Sequence, residues 1–168
     1  MSFLPDRPMI VFINGSIHAG KSTIAKLLSE KLPRCANIEI DELRNFISST
    51  PLEESIPLNL QNTISLIKNF VAQDFNVVVP YPLSQKNYEY VSEQLNGIDT
   101  EIFFITLAPN IEKALTDSDN RTLDDWERER IKHHYKKGIP SPNFGTIIDS
   151  TDDTPAETLK KVLSVIEK

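Results

Sequence analysis

The most constraining feature of this sequence is the spacing of two glycines, a lysine and a serine near its amino terminus. Gly15 is followed by four variable residues and then by Gly20, Lys21 and Ser22. An apolar run, residues 9–13, precedes this segment, and a helical pattern of apolar residues follows it. A buried strand, a glycine-bounded loop and a helix in this order predict a loop whose backbone amides surround an anion. We therefore expect an α/β protein with a phosphate-binding loop (P-loop) after its first strand.

Each fixed position of the P-loop has a physical role. Gly15 and Gly20 allow backbone torsions and close approaches that a Cβ atom would block. The Lys21 ammonium would reach the β- and γ-phosphates of a nucleotide, and the Ser22 hydroxyl would ligate Mg²⁺, so the pattern predicts that ATP and Mg²⁺ bind here. As a variable position of the loop, His18 is expected to be solvated and not catalytic. The residues expected to contact the nucleotide are Gly15, Ser16, Ile17, His18, Ala19, Gly20, Lys21, Ser22 and Thr23.

Composition argues against several classes of partner. The formal net charge is −6, which disfavours nucleic acid but is compatible with a small anionic substrate held by a few arginines. Cys35 is the only cysteine, which excludes an intrachain disulfide and indicates a reducing compartment. The sequence shows neither a signal-peptide pattern nor an apolar run long enough to span a membrane. We therefore expect a cytoplasmic protein that makes no membrane contact.

Strand-like and helical patterns alternate along the chain. Apolar strand-like runs occupy residues 9–13, 36–40, 75–79, 101–107 and 145–148. Alternating strands and helices imply right-handed crossovers and a parallel sheet that is covered on both faces. We predict one domain over residues 1–168, a three-layer α/β sandwich whose five parallel strands have the order 2-3-1-4-5.

Two predicted boundaries bear on the functional site. The strand of residues 36–40 would deliver Asp41, which could also cap a helix over residues 42–47. Residues 51–55 are expected to form a polar link before a helix over residues 56–72. Because ligands of such sheets bind beyond the carboxyl ends of the strands, Asp41 is expected near the P-loop.

Three residues near these strand ends are candidates for binding an acceptor substrate. The carboxylate of Asp41 could orient or deprotonate a substrate hydroxyl, or hold Mg²⁺ through water. Arg44 lies one helical turn further along and could bind an acidic or phosphorylated substrate. Tyr81, at the end of the third strand, could line the same pocket. Alternatively, Asp41 could be only a helix cap, Arg44 a solvated side chain and Tyr81 a residue packed in the core.

The segment of residues 117–140 combines dense charge of both signs with few apolar residues. Arg121 and Arg128 lie seven positions apart and would share one helix face if a helix begins that early. Arg130 falls instead on the apolar face and could point inward. Because acids nearly match bases, a salt-bridged surface helix is the alternative. His134 and the histidine before it are expected to be solvated.

These features resemble the small P-loop phosphotransferases, namely the shikimate-kinase-like and nucleoside-monophosphate-kinase-like enzymes, including those similar to chloramphenicol phosphotransferase. The resemblance covers most of the chain in order. It rests on the P-loop, on Glu39-Ile40-Asp41, on the arginine-rich segment with Trp126, and on residues 148–151 with Pro155.

The resemblance implies roles for particular residues. In this family the carboxylate that matches Asp41 acts on the substrate hydroxyl. Residues 117–140 would be a lid that closes over the triphosphate, excludes water, and uses Arg121 and Arg128 to neutralise charge on the transferred phosphoryl group. Shikimate-kinase-like members have Asp-x-Asp where this chain has Glu39, so the resemblance does not assign Glu39 a direct Mg²⁺ role. The loop that borders the adenine ring matches Asp149, Ser150, Thr151 and Pro155.

The leading hypothesis is a kinase that transfers the γ-phosphoryl group of ATP to a hydroxyl of a small molecule. A nucleotide-hydrolysing switch is the first alternative, but it would need an acid at the end of the third strand, where the sequence has Val79 and Pro80. A nucleic-acid end kinase is the second alternative, and the acidic charge balance disfavours it. No motif in the sequence identifies the acceptor.

Overall fold

The computed structural model describes residues 7–118 and 121–167, so residues 119–120 of the predicted lid lie outside the described residues. The strands are Met9–Asn14 (β1), Cys35–Asn37 (β2), Asn76–Pro80 (β3), Glu101–Leu107 (β4) and Thr146–Ile148 (β5). The helices are Lys21–Lys31 (α1), Ile40–Leu43 (α2), Leu52–Val71 (α3), Gln85–Gln94 (α4), Ile111–Ala114 (α5), Asp125–Lys136 (α6) and Pro155–Ile166 (α7). A 3-10 helix, Arg44–Ile47, follows α2.

The five strands form one parallel sheet in the order β2-β3-β1-β4-β5, as predicted. β1 lies at the centre, and every residue of it is buried. A central strand of this kind is apolar on both faces because helices cover both sides of the sheet. The end of β1, and therefore the P-loop, lies at the middle of the carboxyl edge, where ligands of parallel sheets bind.

Alternate residues of β1 pack into two cores, one on each face of the sheet. Val11 and Ile13 pack with α1 and α7, whereas Ile10 and Phe12 pack with α3 and α4. The ring of Phe12 stacks on Phe104 with a centroid distance of 4.9 Å. No helix in the described ranges combines the length and the apolarity that a membrane crossing requires.

Asn14, the last residue of β1, connects three other parts of the chain. Its side chain is fully buried. The amide nitrogen donates to Thr106 Oγ1 (2.9 Å) in β4 and to the carbonyl of Ile139 (3.3 Å) after α6. The amide oxygen accepts from the backbone N–H of Leu83 (2.7 Å) before α4. The start of the P-loop is therefore held against segments from both halves of the chain.

β2 is shorter than predicted, and this changes the setting of Asp41. The strand ends at Asn37, the N–H of Ile38 still bonds to β3, and the chain then turns into α2 at Ile40. Glu39 occupies the N-cap position and Asp41 lies within the first turn, so the predictions that Asp41 follows a strand and caps a helix were wrong. Ile38 and Ile40 are both buried although neither lies in a strand. Their apolar character is therefore explained by burial in this turn.

α3 begins earlier than predicted. The supposed link of residues 51–55 is instead the first turn of the helix, which starts at Leu52. Glu53 and Glu54 favour this start because carboxylates interact well with the positive end of the helix dipole. The extension brings Ser55, which is fully buried, into the wall of the cavity described below.

Candidate active site

The P-loop lies between β1 and α1, and its backbone requires glycine at two points. Gly15 has φ 145°, and a Cβ atom there would lie 2.6 Å from the carbonyl oxygen of Leu107. Gly20 has the left-handed φ of 86° and is the N-cap of α1. An L-residue would be strained at Gly20, and a Cβ would collide with β4 at Gly15. The loop therefore stays against the sheet edge with its amides close to the start of α1.

Lys21 lies inside the curve of the loop. Its Nζ donates to the carbonyl of Ser16 at 2.6 Å. Burial lowers the pKa of the Lys21 ammonium to about 8, while the carboxylates of Asp41 and Glu39 act in the opposite direction. A polyanion bound at the loop would stabilise the charged form of Lys21 and raise its pKa.

Glu39 is the carboxylate that contacts Ser22. The Ser22 hydroxyl donates to Glu39 Oε2 at 3.2 Å, and Asp41, which the sequence had suggested as a second metal residue, has no such contact with Ser22 among the described residues. Burial raises the pKa of Glu39, and the hydrogen bond from Ser22 opposes this rise. Hydroxyl and carboxylate oxygens are the ligands that Mg²⁺ prefers, so this pair fits a magnesium ion next to the phosphates.

A cavity of about 240 Å³ lies on the α7 side of the P-loop. His18, Ala19, Gly20 and Thr23 contribute the loop side of its wall, and Ser150 and Pro155 contribute the opposite side. The structure thus brings together two segments that the sequence assigned to one nucleotide. Its shape and position suit the base and ribose of a nucleotide whose phosphates enter the loop.

Asp149 and Thr151 do not line this cavity, although they were predicted with Ser150 as nucleotide contacts. Asp149 Oδ1 accepts from the backbone N–H of Thr151 (3.0 Å) and from its hydroxyl (2.6 Å). The Thr151 hydroxyl oxygen also accepts from the N–H of Asn110 at 2.9 Å. Both side chains therefore stabilise the loop that presents Ser150.

Arg121 and Arg128, the two arginines of the predicted lid, lie in different surroundings. Asp124 and Glu127 form a capping box that starts α6 at Asp125, so Arg121 precedes the helix and shares no helix face with Arg128. Arg121 pairs with Glu127. Burial lowers the pKa of His18 in the P-loop, and the charge of Arg121 contributes to this lowering. Arg121 is therefore close enough to His18, which lines the cavity on the α7 side, for the two charges to interact.

Arg128, in the first turn of α6, bonds to the segment that joins α5 to α6. Its guanidinium donates to the carbonyl of Leu115 (2.8 Å) and to Asp117 Oδ1 (2.9 Å). Asp117 Oδ1 also accepts from the N–H of Leu123. Arg128 is thus placed to hold this segment together, and phosphate contact would require it to exchange these partners.

A second cavity, of about 630 Å³, lies on the other side of the P-loop. The four side chains predicted to bind an acceptor all line it: Asp41, Arg44, Tyr81 and Arg130. Burial raises the pKa of the Tyr81 phenol, the carboxylate of Asp41 adds to the rise, and Arg130 opposes it. One carboxylate and two guanidiniums therefore surround a partly aromatic cavity, which we call the acceptor cavity.

The P-loop separates the two cavities. Ile17 lines the acceptor cavity, whereas the next residue, His18, lines the cavity of about 240 Å³, which we call the nucleotide cavity. The positive φ of His18 (65°) turns the two adjacent side chains to different sides. A phosphate held at Lys21 would therefore have the remainder of the nucleotide on one side and the acceptor on the other.

Besides Ser55, the sequence interpretation missed two buried polar side chains of the acceptor cavity, those of His134 and Asn59. His134 was expected to be solvated but is only 4% exposed, and Asn59 on α3 is equally buried. Both line the cavity. His134 follows the fully buried Ile131 by three residues, so helical spacing could have placed it on the inward face. No comparable pattern in the sequence indicated that Asn59 would be buried at this cavity.

Comparison with known proteins supports the fold. No protein-family model matches the sequence, and no curated protein is significantly similar to it. The APS kinase CysC of Mycobacterium tuberculosis, solved with AMPPNP and APS, is 20% identical with a TM-score of 0.66 over 98% of this chain and 100% of that one. The chain has the fold of P-loop kinases.

Two further structures share this fold. A gluconokinase from Sinorhizobium meliloti 1021 is 18% identical with a TM-score of 0.69, covering 95% of this chain and 91% of its own. The tunicamycin resistance protein of Deinococcus radiodurans is 19% identical with a TM-score of 0.68, covering 94% and 95%. The P-loop kinase fold thus extends over nearly the whole chain.

The lowered pKa of Lys21 predicts that nucleotide affinity falls as the pH rises. With a pKa of about 8, roughly three quarters of Lys21 is charged at pH 7.5 and about a tenth at pH 9. Because phosphates bind the charged form, the affinity for AMPPNP and Mg²⁺ should fall roughly eightfold over this range. Isothermal titration calorimetry at both pH values measures this affinity.

Lys21→Met provides the control because methionine has a similar length and carries no charge. Its affinity should be low and independent of pH. The same pH dependence in the variant and in the wild type would mean that Lys21 is not the titrating group, and an unchanged affinity would mean that Lys21 does not contact the phosphates.

Proposed function

We propose that this protein is an ATP-dependent kinase that transfers the γ-phosphoryl group to a hydroxyl of a small organic anion. The observation that carries the proposal is the pair of cavities on the two sides of the P-loop. One is also lined by Ser150 and Pro155, and the other by Asp41 and two arginines. Two proteins of the same fold are named as an APS kinase and a gluconokinase, which supports a small-molecule acceptor.

In this proposal the P-loop holds the triphosphate of ATP. The loop amides and the Lys21 ammonium bind the phosphates, and Arg121 adds positive charge from the nucleotide side. Ser22 and Glu39 would hold Mg²⁺, with Asp41 as a further carboxylate close by. The ion would neutralise charge on the transferred group. A cytoplasmic location, where ATP is available and the thiol of Cys35 stays reduced, is part of the proposal.

Asp41 serves the acceptor. Its carboxylate, exposed on α2 beside the P-loop, accepts a hydrogen bond from the reacting hydroxyl and takes its proton as the phosphoryl group arrives. Little proton removal is needed early in phosphoryl transfer, so orienting the hydroxyl is a large part of this role.

Two arginines indicate that the acceptor is an anion. The guanidiniums of Arg44 and Arg130 line the acceptor cavity from the 3-10 helix and from α6, and Asp41 offers only one carboxylate in return. A carboxylate or phosphate of the acceptor would balance the second positive charge. The side chain of Trp126 lies at the rim of this cavity and is 67% exposed, so it can cover a bound acceptor.

An acceptor panel tests the proposal. The panel contains glycolate, D-glycerate, D-gluconate, shikimate, a sugar phosphate, the neutral compounds glycerol and D-glucose, a 5′-hydroxyl oligonucleotide, and a reaction without acceptor. With labelled ATP and Mg²⁺, we expect phosphate on one of the small anions. Label on the oligonucleotide, or free phosphate alone at the same rate in every reaction, would contradict the proposed acceptor class.

Replacement of Asp41 tests its role with the best acceptor of that panel. Asp41→Asn should lower kcat by roughly 10²–10⁴, the usual contribution of a positioned base, while the affinity for ATP stays within a few-fold. Glu42→Gln, which removes the adjacent exposed carboxylate, is the control and should retain activity. Wild-type transfer by Asp41→Asn would remove Asp41 from the mechanism, and a matching loss of ATP–Mg²⁺ affinity would make it a metal residue.

The lid proposal applies to part of residues 117–140. α6 is anchored by the fully buried Ile131, by the contact of His134 with the P-loop, and by the hydroxyl of Tyr135, which donates to the carbonyl of Pro109. Arg121 lies before this anchored helix, and its side chain is exposed. We propose that closure involves the part of the segment before and at the start of α6.

Hydrogen exchange tests this form of the lid. AMPPNP with Mg²⁺ should raise amide protection over residues 121–128, because Arg121 would exchange Glu127 for phosphate and draw this part onto the nucleotide. Residues 129–136 serve as the internal reference and should change little. Equal protection of residues 121–128 with and without nucleotide would count against a lid.

A further inference from the structure

His134 joins α6 to the P-loop through one ring nitrogen. Its Nδ1 lies 3.2 Å from the backbone nitrogen of Ile17 and 3.2 Å from the hydroxyl oxygen of Ser16. The side chain is buried, and it also lines the acceptor cavity. The ring therefore contacts the phosphate-binding loop and also faces the acceptor cavity.

The contact with Ile17 determines which nitrogen carries the proton. A backbone N–H can only donate, so Nδ1 must accept and the neutral ring must carry its proton on Nε2. The Ser16 hydroxyl then also donates to Nδ1. Burial lowers the pKa of His134 to about 4, and the positive charges of Arg130, Lys21 and His133 act in the same direction. The ring is thus neutral near pH 7, and its Nε2–H is left for the cavity.

Asn59 offers the complementary group. It lies on α3, is 4% exposed and lines the same cavity. Among the described residues its side-chain oxygen Oδ1 has no hydrogen-bond partner. Its backbone carbonyl is occupied by the Thr63 hydroxyl at 2.8 Å. A buried amide oxygen without a partner destabilises the protein unless a ligand or water satisfies it.

We propose that His134 and Asn59 bind neutral hydroxyl groups of the acceptor, His134 by donating from Nε2 and Asn59 through its side-chain amide. This inference rests on the proposed function, and it narrows the acceptor to a polyhydroxylated organic anion. The anionic group would bind Arg44 and Arg130, the reacting hydroxyl would bind Asp41, and at least one further hydroxyl would bind His134 or Asn59. Because His134 also holds the Ser16–Ile17 turn, it positions the acceptor relative to the P-loop.

Nuclear magnetic resonance of ¹⁵N-histidine-labelled protein tests the His134 geometry without any ligand. His134 should show the Nε2–H tautomer and remain neutral from pH 7 to about 5. The Nδ1–H tautomer, or a ring of His134 that becomes charged within this pH range, would overturn the assignment.

Two substitutions of His134 separate its two contacts. His134→Asn places an oxygen near the position of Nδ1, so it keeps an acceptor for Ile17 and removes the donor to the cavity. His134→Gln keeps a donor near the position of Nε2 and removes the contact with the P-loop. AMPPNP affinity should therefore be preserved in His134→Asn and lowered in His134→Gln, with His133→Asn as the unchanged control. The reverse order would contradict the proposed roles.

Substitution of Asn59 by leucine tests whether its oxygen is reserved for a ligand. Asn59→Leu should keep or raise Tm, by up to about 4 °C, since an unpartnered polar group is replaced by a carbon group of similar size. Thr63→Val, one helical turn later, removes a satisfied hydroxyl and should lower Tm. A clear loss of stability in Asn59→Leu would show that Asn59 is structural.

Binding of two probes tests the substrate class. Trp126 is the only tryptophan in the chain and lies at the cavity, so its fluorescence reports occupancy. Wild-type protein should bind D-gluconate at least tenfold more tightly than glycolate. Both His134→Asn and Asn59→Leu should reduce the ratio of these two affinities. Equal affinities in the wild type would overturn the inference. Because these measurements need no ATP turnover, absence of transfer in the acceptor panel would count against the kinase proposal alone.

Discussion

The side-chain amide of Asn14 holds together the segments from which the site is built. It lies fully buried at the end of the central strand and bonds to β4, to the backbone before α4 and to the backbone after α6. Each of these bonds replaces one to water, and a buried amide that lost them would destabilise the protein. The P-loop therefore leaves the sheet at a point that is fixed relative to both cavities.

The two cavities differ in charge and in chemistry because different elements form them. The nucleotide cavity is bounded by the P-loop, by the loop before α7 with Ser150 and Pro155, and by α5 and the residues after it, which add Lys113 and Asp117. The acceptor cavity is bounded by α2, the 3-10 helix, α3 and α6, which present Asp41, Arg44 and Arg130. A triphosphate needs amides and a few cations, whereas selection among small acceptors requires side chains at defined places.

Electrostatics near the P-loop favour a bound polyanion. Burial lowers the pKa of Lys21 in the free protein, and the carboxylates of Asp41 and Glu39 only partly offset this lowering. Binding of phosphate and Mg²⁺ would satisfy all three groups together, because the lysine would gain an anion and Glu39 a cation. The neutral ring of His134 completes this arrangement without adding another positive charge.

Local sequence patterns determined the phosphate-binding loop and the presence of five strands, because the spacing of glycines and the period of apolar residues act over a few positions. The alternation of strands with helices along the chain predicted their parallel order, which the structure confirms. Ser22 was likewise identified from its motif. The end of β2, the contact between Ser22 and Glu39 and the burial of His134 were decided only by tertiary structure. Ser16 and His134 are 118 residues apart, so their contact depends on the path of the whole chain. The charged residues on either side of His134 indicated a solvated helix. One face of α6 is turned inward only because the helix packs against the P-loop.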